Sequence, residues 1–583
     1  MSILLVAASI LTSLPVHCPP QGGSPVSPQT FAAYAAQNEG VDPVELRKRW
    51  PETVAEASDF TQSSRLAEVE AFLSGLEALP QGHRLSRRVF GKTTEGRQLT
   101  AVNVRAKKAG TASEPVRVLI NANIHGGEIE GKVAVQILLR EFALGYHADL
   151  LESLDITFVP VFNADGNDRI ARTNRVTQNG PEEGVGERAN AAGLDLNRDF
   201  IKLETPEVRA LTALVRDMAP HAFMDLHTTN GSPHGYDLTY SPSLSPNAPA
   251  ALAAYMAESF FPAVRKTLAE RDGIYAYDYG NFSYAPRERG SKGERGDPIA
   301  WSTYDSRPRF GTNLMGLRGT VSILSEAYSY LPYERRVLAT YGFVLECLQV
   351  LAGDAERVIA FSEAAQEAAG KPGVLGVGAR LDSIGDVPIR VSRYDEVTID
   401  LDPEAEGVQG GERRVAAGPD EVRLVSMDVQ SRYKAERTVP YTGSFLVLEP
   451  SDELITVLGI HLGEGALERL TPGGQGISAE VFVIEEATRS QRVFQGHREA
   501  RVEGHWERLT VPRSSGALRV RASLLAAHLL HPESDDSFTT WNFFDDQIFS
   551  ADAAPEATGG EAGGELRPKK PGAPRTHPVL MIR

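Results

Sequence analysis

A histidine and a glutamate stand three residues apart in His125-Gly126-Gly127-Glu128, directly after the apolar run Val116–Ile124. That run predicts a strand. An imidazole and a carboxylate leaving one strand end can turn toward a common point, where they supply two of the three protein ligands of a catalytic zinc. The spacing recurs in His461-Leu462-Gly463-Glu464, in a β-rich stretch with no supporting motif. With 13 histidines in the chain, one chance pair of this kind is expected, and we read the second as a surface helix. The chain has only two cysteines, Cys18 and Cys347. They cannot build a disulfide framework or a thiolate zinc site. Any metal therefore has to be held by histidines and carboxylates. Cys347 lies among Phe343, Val344, Leu345 and Leu348 and reads as a buried free thiol.

Further polar motifs follow His125 in a fixed order. Asn163-Ala164-Asp165-Gly166 closes the next apolar run, and Arg172-Thr173-Asn174-Arg175 comes after it. Then come Gly193-Leu194-Asp195-Leu196-Asn197-Arg198, Asp225-Leu226-His227 and Ser325-Glu326. Each lies at a strand end or in the loop beyond one, where ligands bind in sheets of this type. With these pieces in this order the sequence resembles the zinc carboxypeptidases of the carboxypeptidase A type, over about residues 55–350. Ala164 departs from the pattern, which has proline there. The segment Gly91–Arg97 looks like the glycine-bounded turn that opens the family's domain. The segment Arg307–Asn313 and the β-rich C-terminal part point to a bacterial-type branch.

The resemblance implies a role for each matching residue. His125, Glu128 and His227 are the zinc ligands, and Glu326 is the general base. Arg172 polarises the scissile carbonyl, with Arg175 as its competitor for that role. Asn197 and Arg198 grip a substrate carboxylate, which suits an arginine fork. Asp195 hydrogen-bonds the first histidine and fixes its tautomer. Tyr304 matches the family's mobile tyrosine upstream of the base, in competition with Tyr328 and Tyr330. Asp225 either supports His227 or is a solvated acid. Arg307, Arg309 and Arg318, preceded by Arg287, Arg289, Lys292 and Arg295, form either a pocket for acidic substrates or a solvated loop. Glu533, Asp535 and Asp536 read as an acidic turn before a helix, with calcium binding as the alternative.

Strand-like and helix-like runs alternate from Asp59 to about Gly353 and must position these residues. Lys132–Leu144, Glu207–Met218, Ala250–Glu270 and Glu334–Leu351 predict helices. Ile156–Phe162, Ala222–Leu226 and Val321–Leu324 predict strands. The expected fold class is α/β, a mixed and largely parallel sheet flanked by helices. After Ala369 short β-rich runs take over: Val387–Val391, Glu396–Leu401, Ser444–Leu448, Glu480–Val483, Ala517–Val520 and a final Val579–Ile582. We expect a signal peptide over 1–24, an N-terminal extension over 25–54, a catalytic domain over 55–365 and a β-rich domain over 366–583. Residues 551–574 read as disordered from their Gly/Glu/Pro/Ala composition.

Composition narrows the function classes. The 583 residues are 42% hydrophobic and 23% charged, as in a globular protein with a real core. Lys+Arg 60 against Asp+Glu 77 leaves a net charge of −17, which argues against nucleic acid or an anionic membrane as partner. No run of 18 apolar residues is present, so no membrane span is expected. Ile3–Leu14 has signal-peptide character but lacks a basic flank, and Pro15-Val16-His17 is a poor lipidation signal before Cys18. The expectation is a secreted or periplasmic metallocarboxypeptidase with one zinc per chain, acting on peptide or protein C-termini. Its rivals are a zinc amidase, deacylase or peptidoglycan-peptide hydrolase using the same site, and a non-catalytic binding protein that keeps the fold.

Overall fold

The structure is a computed structural model. It describes residues 28–582 except 106–113, 230, 286–295, 401–411, 472–475, 512–515, 550–555, 558–565 and 568–574. The expected signal peptide, Cys18, nearly all of 551–574 and the basic residues Arg287, Arg289, Lys292 and Arg295 lie outside the described residues.

The strands run, in chain order, β1 (Leu85–Lys92), β2 (Gln98–Val104), β3 (Val116–Ala122), β4 (Leu154–Val159), β5 (Ala222–Thr229), β6 (Leu238–Ser241), β7 (Ala276–Asp278), β8 (Asn281–Ser283), β9 (Ala300–Ser302) and β10 (Val321–Tyr328). Eight of them form one sheet in the order β1-β2-β4-β3-β5-β10-β6-β7. The centre, β4-β3-β5-β10, is parallel, and antiparallel pairs flank it at β1-β2-β4 and β10-β6. This is the expected mixed, largely parallel α/β sheet. Its central strands are buried on both faces, which is why they read as unbroken apolar runs.

Three helices cover the sheet close to their expected limits. Glu130–Leu144 ends on Gly145 in the left-handed region at φ 101°, whose N–H returns to the Glu141 and Phe142 carbonyls. Pro206–Met218 starts with the Thr205 hydroxyl accepting from the Val208 N–H at 3.3 Å. Tyr333–Gly353 buries Cys347, as expected of a free thiol in the core. Among the described residues it is the one helix long and apolar enough to cross a membrane by length and composition, but most of it is packed inside the protein. The run Ala250–Glu270 departs from a plain α-helix, with wide π-turns at Met256–Phe260 and Leu268–Asp272. Pro262 has no N–H to return to Glu258, and the helix widens just before it.

The C-terminal part is more continuous than its sequence suggests. Val387–Val391 belongs to one strand, Gly373–Asp400, paired antiparallel with Glu412–Tyr441. Gly378 and Gly385, at φ 69° and 95°, look like turn residues, yet they sit within this long strand. The pairing slips between Ser383 and Asp386, so Gly385 marks a bulge and not a turn. This hairpin extends onto β9 and β8 of the first part. A six-stranded sheet follows, and its final strand, Arg575–Ile582, lies inside the sheet between Ser444–Val447 and Ile477–Arg489.

One apolar cluster joins the two parts. It holds Leu99, Leu119, Phe223 and Leu314 together with Val447, Val520, Trp541 and Val579. The boundary expected at 365/366 falls inside the helix Ala355–Ala369. A core shared in this way cannot be divided without exposing both halves to water. Calorimetry of the full chain should therefore show one cooperative transition, and a fragment ending at residue 371 should fail to fold. Two resolved transitions would show independent domains.

Candidate metal centre and active site

His125 follows β3, His227 lies in β5 and Glu326 lies in β10, three neighbouring parallel strands. In the β5/β10 register His227 stands directly opposite Glu326. Both were expected just beyond shorter strands. They fall inside the paired strands because both face a cavity and not apolar packing.

The loop after β3 is built for close approach. Asn123, at φ 63°, donates from its amide to the carbonyls of His125, Gly126 and Glu128 at 3.2, 3.1 and 3.0 Å. A Cβ at Gly126 would collide with the backbone of Gly166 and Asn167, and one at Gly127 with the Gly186 carbonyl. The two glycines thus let the loop lie against the next two strand-end segments. The motif Asn163–Gly166 organises those segments. The Asn163 amide donates to the carbonyls of Arg188 and Ala189 at 3.2 and 3.1 Å. Asp165 accepts from Thr93, Arg97 and the Glu95 N–H, tying down the turn Gly91–Arg97.

His125, Glu128 and His227 converge, with one ligand atom from each within 4.8 Å of the others. Nδ1 of His125 and Nδ1 of His227 lie 3.0 and 2.9 Å from Glu128 Oε2. The outer nitrogens face carboxylates: His125 Nε2 is 3.0 Å from Asp195 Oδ1, and His227 Nε2 is 3.0 Å from Asp225 Oδ2. This arrangement fixes each ring so that Nδ1 points inward, and it supplies the outer support that metal-binding histidines need. Asp225 is fully buried and held by Asn121 at 2.9 Å, so it is no solvated acid. Two imidazoles and one carboxylate, all buried, make a donor set suited to zinc.

The electrostatics follow from this geometry. Burial opposes ionisation of Glu128, but His125 and Arg175 outweigh it and hold the carboxyl well below its usual range. Asp195 is likewise held down against burial, by His125 and Arg188. Burial disfavours a charged His227, yet Asp225 and Glu128 raise it well above the usual imidazole range. Glu326 is different. Burial pushes it up to about 8, with His227 pulling it down and Glu128 adding to the rise. A carboxyl that wants a proton, beside one that does not, is an arrangement suited to base catalysis.

A cavity of about 130 Å³ opens on this cluster. Asn197, Arg198, Tyr304 and Glu326 line it, as do Arg188, Tyr279, Phe310, Thr312 and Leu324. The Arg198 guanidinium lies 4.0 Å over the Phe310 ring, and Asn197 Oδ1 accepts from the Gly311 N–H at 2.8 Å. Tyr304 packs edge-on to Tyr279 at 5.4 Å. Arg172 is not among the lining residues and its side chain is exposed. Arg175 is half-buried and spent on Glu128 Oε1 at 2.9 Å and the Thr228 carbonyl at 2.5 Å. Besides Arg198, the arginine that reaches the cavity is Arg188. Its Nε and Nη2 donate to Asp195 Oδ2 at 3.1 and 2.8 Å, and its Nη1 lies 3.5 Å from Glu128. Sequence reasoning passed over it, although it sits seven residues before Asp195 in the loop that also carries Asn197 and Arg198.

Residues 69–315 match the family model of the zinc carboxypeptidases. The match takes in His125, Glu128, Arg188, Asn197, Arg198, His227 and Tyr304, and stops short of Glu326. Carboxypeptidase D of Drosophila melanogaster is 31% identical over 180 residues, 28% of this chain and 12% of that protein. Carboxypeptidase 2 of Trichophyton tonsurans is 29% identical over 141 residues, 23% of each chain. A metallo-carboxypeptidase structure from Burkholderia cenocepacia is similar over 50% of this chain and 70% of its own, with 18% identity and a TM-score of 0.37. The chain thus spans a quarter or less of the length of these two named relatives.

Among the described residues, the remaining acidic and basic clusters named above are paired internally. Arg307 pairs with Asp305, and Arg309 with Asp536 and Glu499. Glu533 pairs with Arg437, and Asp535 accepts the Gly378 and Ala379 N–H groups. His461 is buried and not on a surface, with Nε2 3.0 Å from the Ile201 carbonyl. Burial then holds it down to about 3, with Arg318 adding to the effect. Among the described residues only His125, Glu128 and His227 form a metal-binding group. The purified protein should carry about one zinc per chain, and His227→Ala should lose most of it, since two ligands hold zinc poorly. His461→Ala should keep its zinc. Metal analysis of both variants checks this, and full zinc in His227→Ala would refute the ligand set.

Proposed function

We propose that this protein is a zinc metallocarboxypeptidase that hydrolyses the C-terminal peptide bond of its substrates. The observation that carries the reading is one cavity shared by a buried His-Glu-His cluster, the Glu326 carboxyl directly opposite His227, and two arginines. The family match and the carboxypeptidase relatives support it. The assignments of Glu326, Arg188, Asn197, Arg198 and Tyr304 are part of the proposal.

When bound, zinc supplies a Lewis acid that polarises a carbonyl and acidifies water. The protein groups do the rest. The Glu326 carboxylate takes a proton from the attacking water and passes it to the leaving amine. Arg188 lies beside the metal ligands and donates to the carbonyl oxygen as it gains charge, the role first assigned to Arg172. Arg198, with Asn197 beside it, holds the terminal carboxylate. Beyond these groups the described residues of the cavity wall are Thr228, Thr229, Tyr279, Tyr304, Phe310, Thr312 and Leu324. Ile3–Leu14 remains the basis for reading the enzyme as exported.

Capping the substrate C-terminus as an amide tests the reading, because it removes the charge and leaves the scissile bond intact. A charged hydrogen bond contributes about 1.5–3 kcal/mol, or about ten- to a hundredfold in kcat/KM. The wild type should prefer the free acid by that factor, and Arg198→Ala should lose most of the preference. Equal cleavage of acid and amide by the wild type would replace the exopeptidase reading with an amidase or endopeptidase one.

A further inference from the structure

Two contacts made by the C-terminal part lie next to the proposed carboxylate clamp. The first is Arg309, whose side chain is 1% exposed. Asp536 accepts its backbone N–H at 3.0 Å, its Nε at 3.1 Å and its Nη2 at 2.8 Å, and Glu499 accepts its Nη1 at 2.6 Å. The Trp541 ring lies 4.5 Å from the guanidinium, and the Trp541 N–H donates to Asp536 at 2.9 Å. Main chain and side chain of Arg309 are thus fixed by residues more than 180 positions away, as the separations of 190 and 227 show. The next two residues, Phe310 and Gly311, are the ones that seat Arg198 and Asn197. The second place is the loop before Glu499. There the Gln495 side-chain amide oxygen Oε1 accepts the Asp195 N–H at 2.8 Å, and His497 lies 2.6 Å from Glu204.

We infer that the β-rich C-terminal part is a supporting arm of the clamp, in which Gln495, Glu499 and Asp536 are positioning residues for Asn197 and Arg198. The functional meaning rests on the clamp role proposed above. The physical case is that a recognition group must be held to within about 0.5 Å and 10–20° by neighbours that are themselves locked. Loop 195–200 has no strand or long helix of its own to lock it, only the three-residue turn Leu196–Arg198. Asp195 is held by His125 and Arg188, and Asp199 by Lys202 and Thr205; between them, Asn197 and Arg198 rest on Gly311 and Phe310 on one flank, with Gln495 bonded to the Asp195 N–H on the other. Arg309 transmits the first of these. A buried guanidinium that loses one of two carboxylates is strongly disfavoured where it stands, so the whole segment shifts.

The test uses the zinc-loaded full chain with Gln495→Ala and Glu499→Gln. Glu453→Gln is the control, since it breaks the Arg209–Glu453 pair between the same two parts but at a helix away from the clamp. One lost hydrogen bond of about 1 kcal/mol corresponds to about fivefold. KM for a free-acid peptide should therefore rise about fivefold in each clamp variant and the acid-over-amide preference should fall alike. Turnover number and zinc content should stay within about twofold of wild type, and the control should match wild type throughout. Backbone hydrogen exchange over residues 195–200 should quicken in the two variants and not in the core helix Tyr333–Gly353. Unchanged KM and preference in a wild-type background that shows the preference would overturn the inference. So would a parallel fall in turnover and zinc, which marks general fold support. If the wild type shows no acid preference, the clamp reading fails by itself and the exchange arm decides. Faster exchange confined to 195–200 then upholds the positioning, and unchanged exchange ends it.

Discussion

Glu326→Gln should lower kcat by at least about a hundredfold while the protein keeps its zinc and its fold. The substitution preserves size and the capacity to hydrogen-bond, and removes only the ability to accept a proton. The expected loss is large because no other group in the cavity can take over. Glu128 is held well below its usual range and committed to two histidines and Arg175. Asp225 is enclosed behind His227 and fully buried. Glu326 alone combines a place on the cavity wall with a raised affinity for a proton. Steady-state kinetics with metal analysis of the same preparation separates the possibilities. Near-normal turnover would place the base elsewhere, and loss of zinc would mean that Glu326 supports the metal cluster.

The parts of this site legible in the sequence are those attached to regular structure. His125 and Glu128 follow an apolar run that could only be a buried strand. His227 and Glu326 end two more such runs, and the order of these motifs along the chain carried the family resemblance that brought them together. Asp225 was ambiguous because a carboxylate two residues before a histidine on one strand is supporting or solvated according to what packs on that face. In the structure Asn121 on the neighbouring strand settles it. The β-rich C-terminal part was legible because composition changes after Ala369, but its packing on the first part was not. Composition reports local texture, whereas the shared core of Leu99, Phe223, Val447 and Trp541 is a matter of packing between distant segments. Gly378 and Gly385 lie within one long strand for a related reason. A positive φ serves a turn or a bulge equally well, and only the partner strand distinguishes them.

Loop 163–198 is where sequence reasoning had least to hold. It contains no periodic pattern, and two arginines, Arg172 and Arg175, offer themselves in similar surroundings. Its path is set by point contacts instead. Asn163 grips the Arg188 and Ala189 carbonyls, and Asp195 holds the Arg188 guanidinium from below. The Gly186 carbonyl lies where a side chain on Gly127 would collide, so this segment presses directly against the metal loop. None of these contacts leaves a repeating mark in the sequence.

That reassignment gives the sharpest comparison available between two side chains of one type in one loop. Arg188→Ala should lower kcat by about a hundred- to a thousandfold, the range seen when one donor to a developing oxyanion is removed. KM should change little, because the donor strengthens its bond only as charge builds on the carbonyl oxygen. Arg172→Ala should remain within about twofold of wild type, since the residue is exposed and is not among those lining the cavity. Arg188→Ala also leaves Asp195 without a partner, and a loss of zinc would reveal that indirect route. For this reason Arg188→Lys belongs beside it. A lysine keeps a positive charge near Asp195 but cannot offer the planar fork that serves Asp195 and the substrate together. It should retain zinc and still lose most of the turnover. If instead Arg172→Ala is crippled and Arg188→Ala is not, the loop rearranges on binding substrate and the first assignment was the correct one.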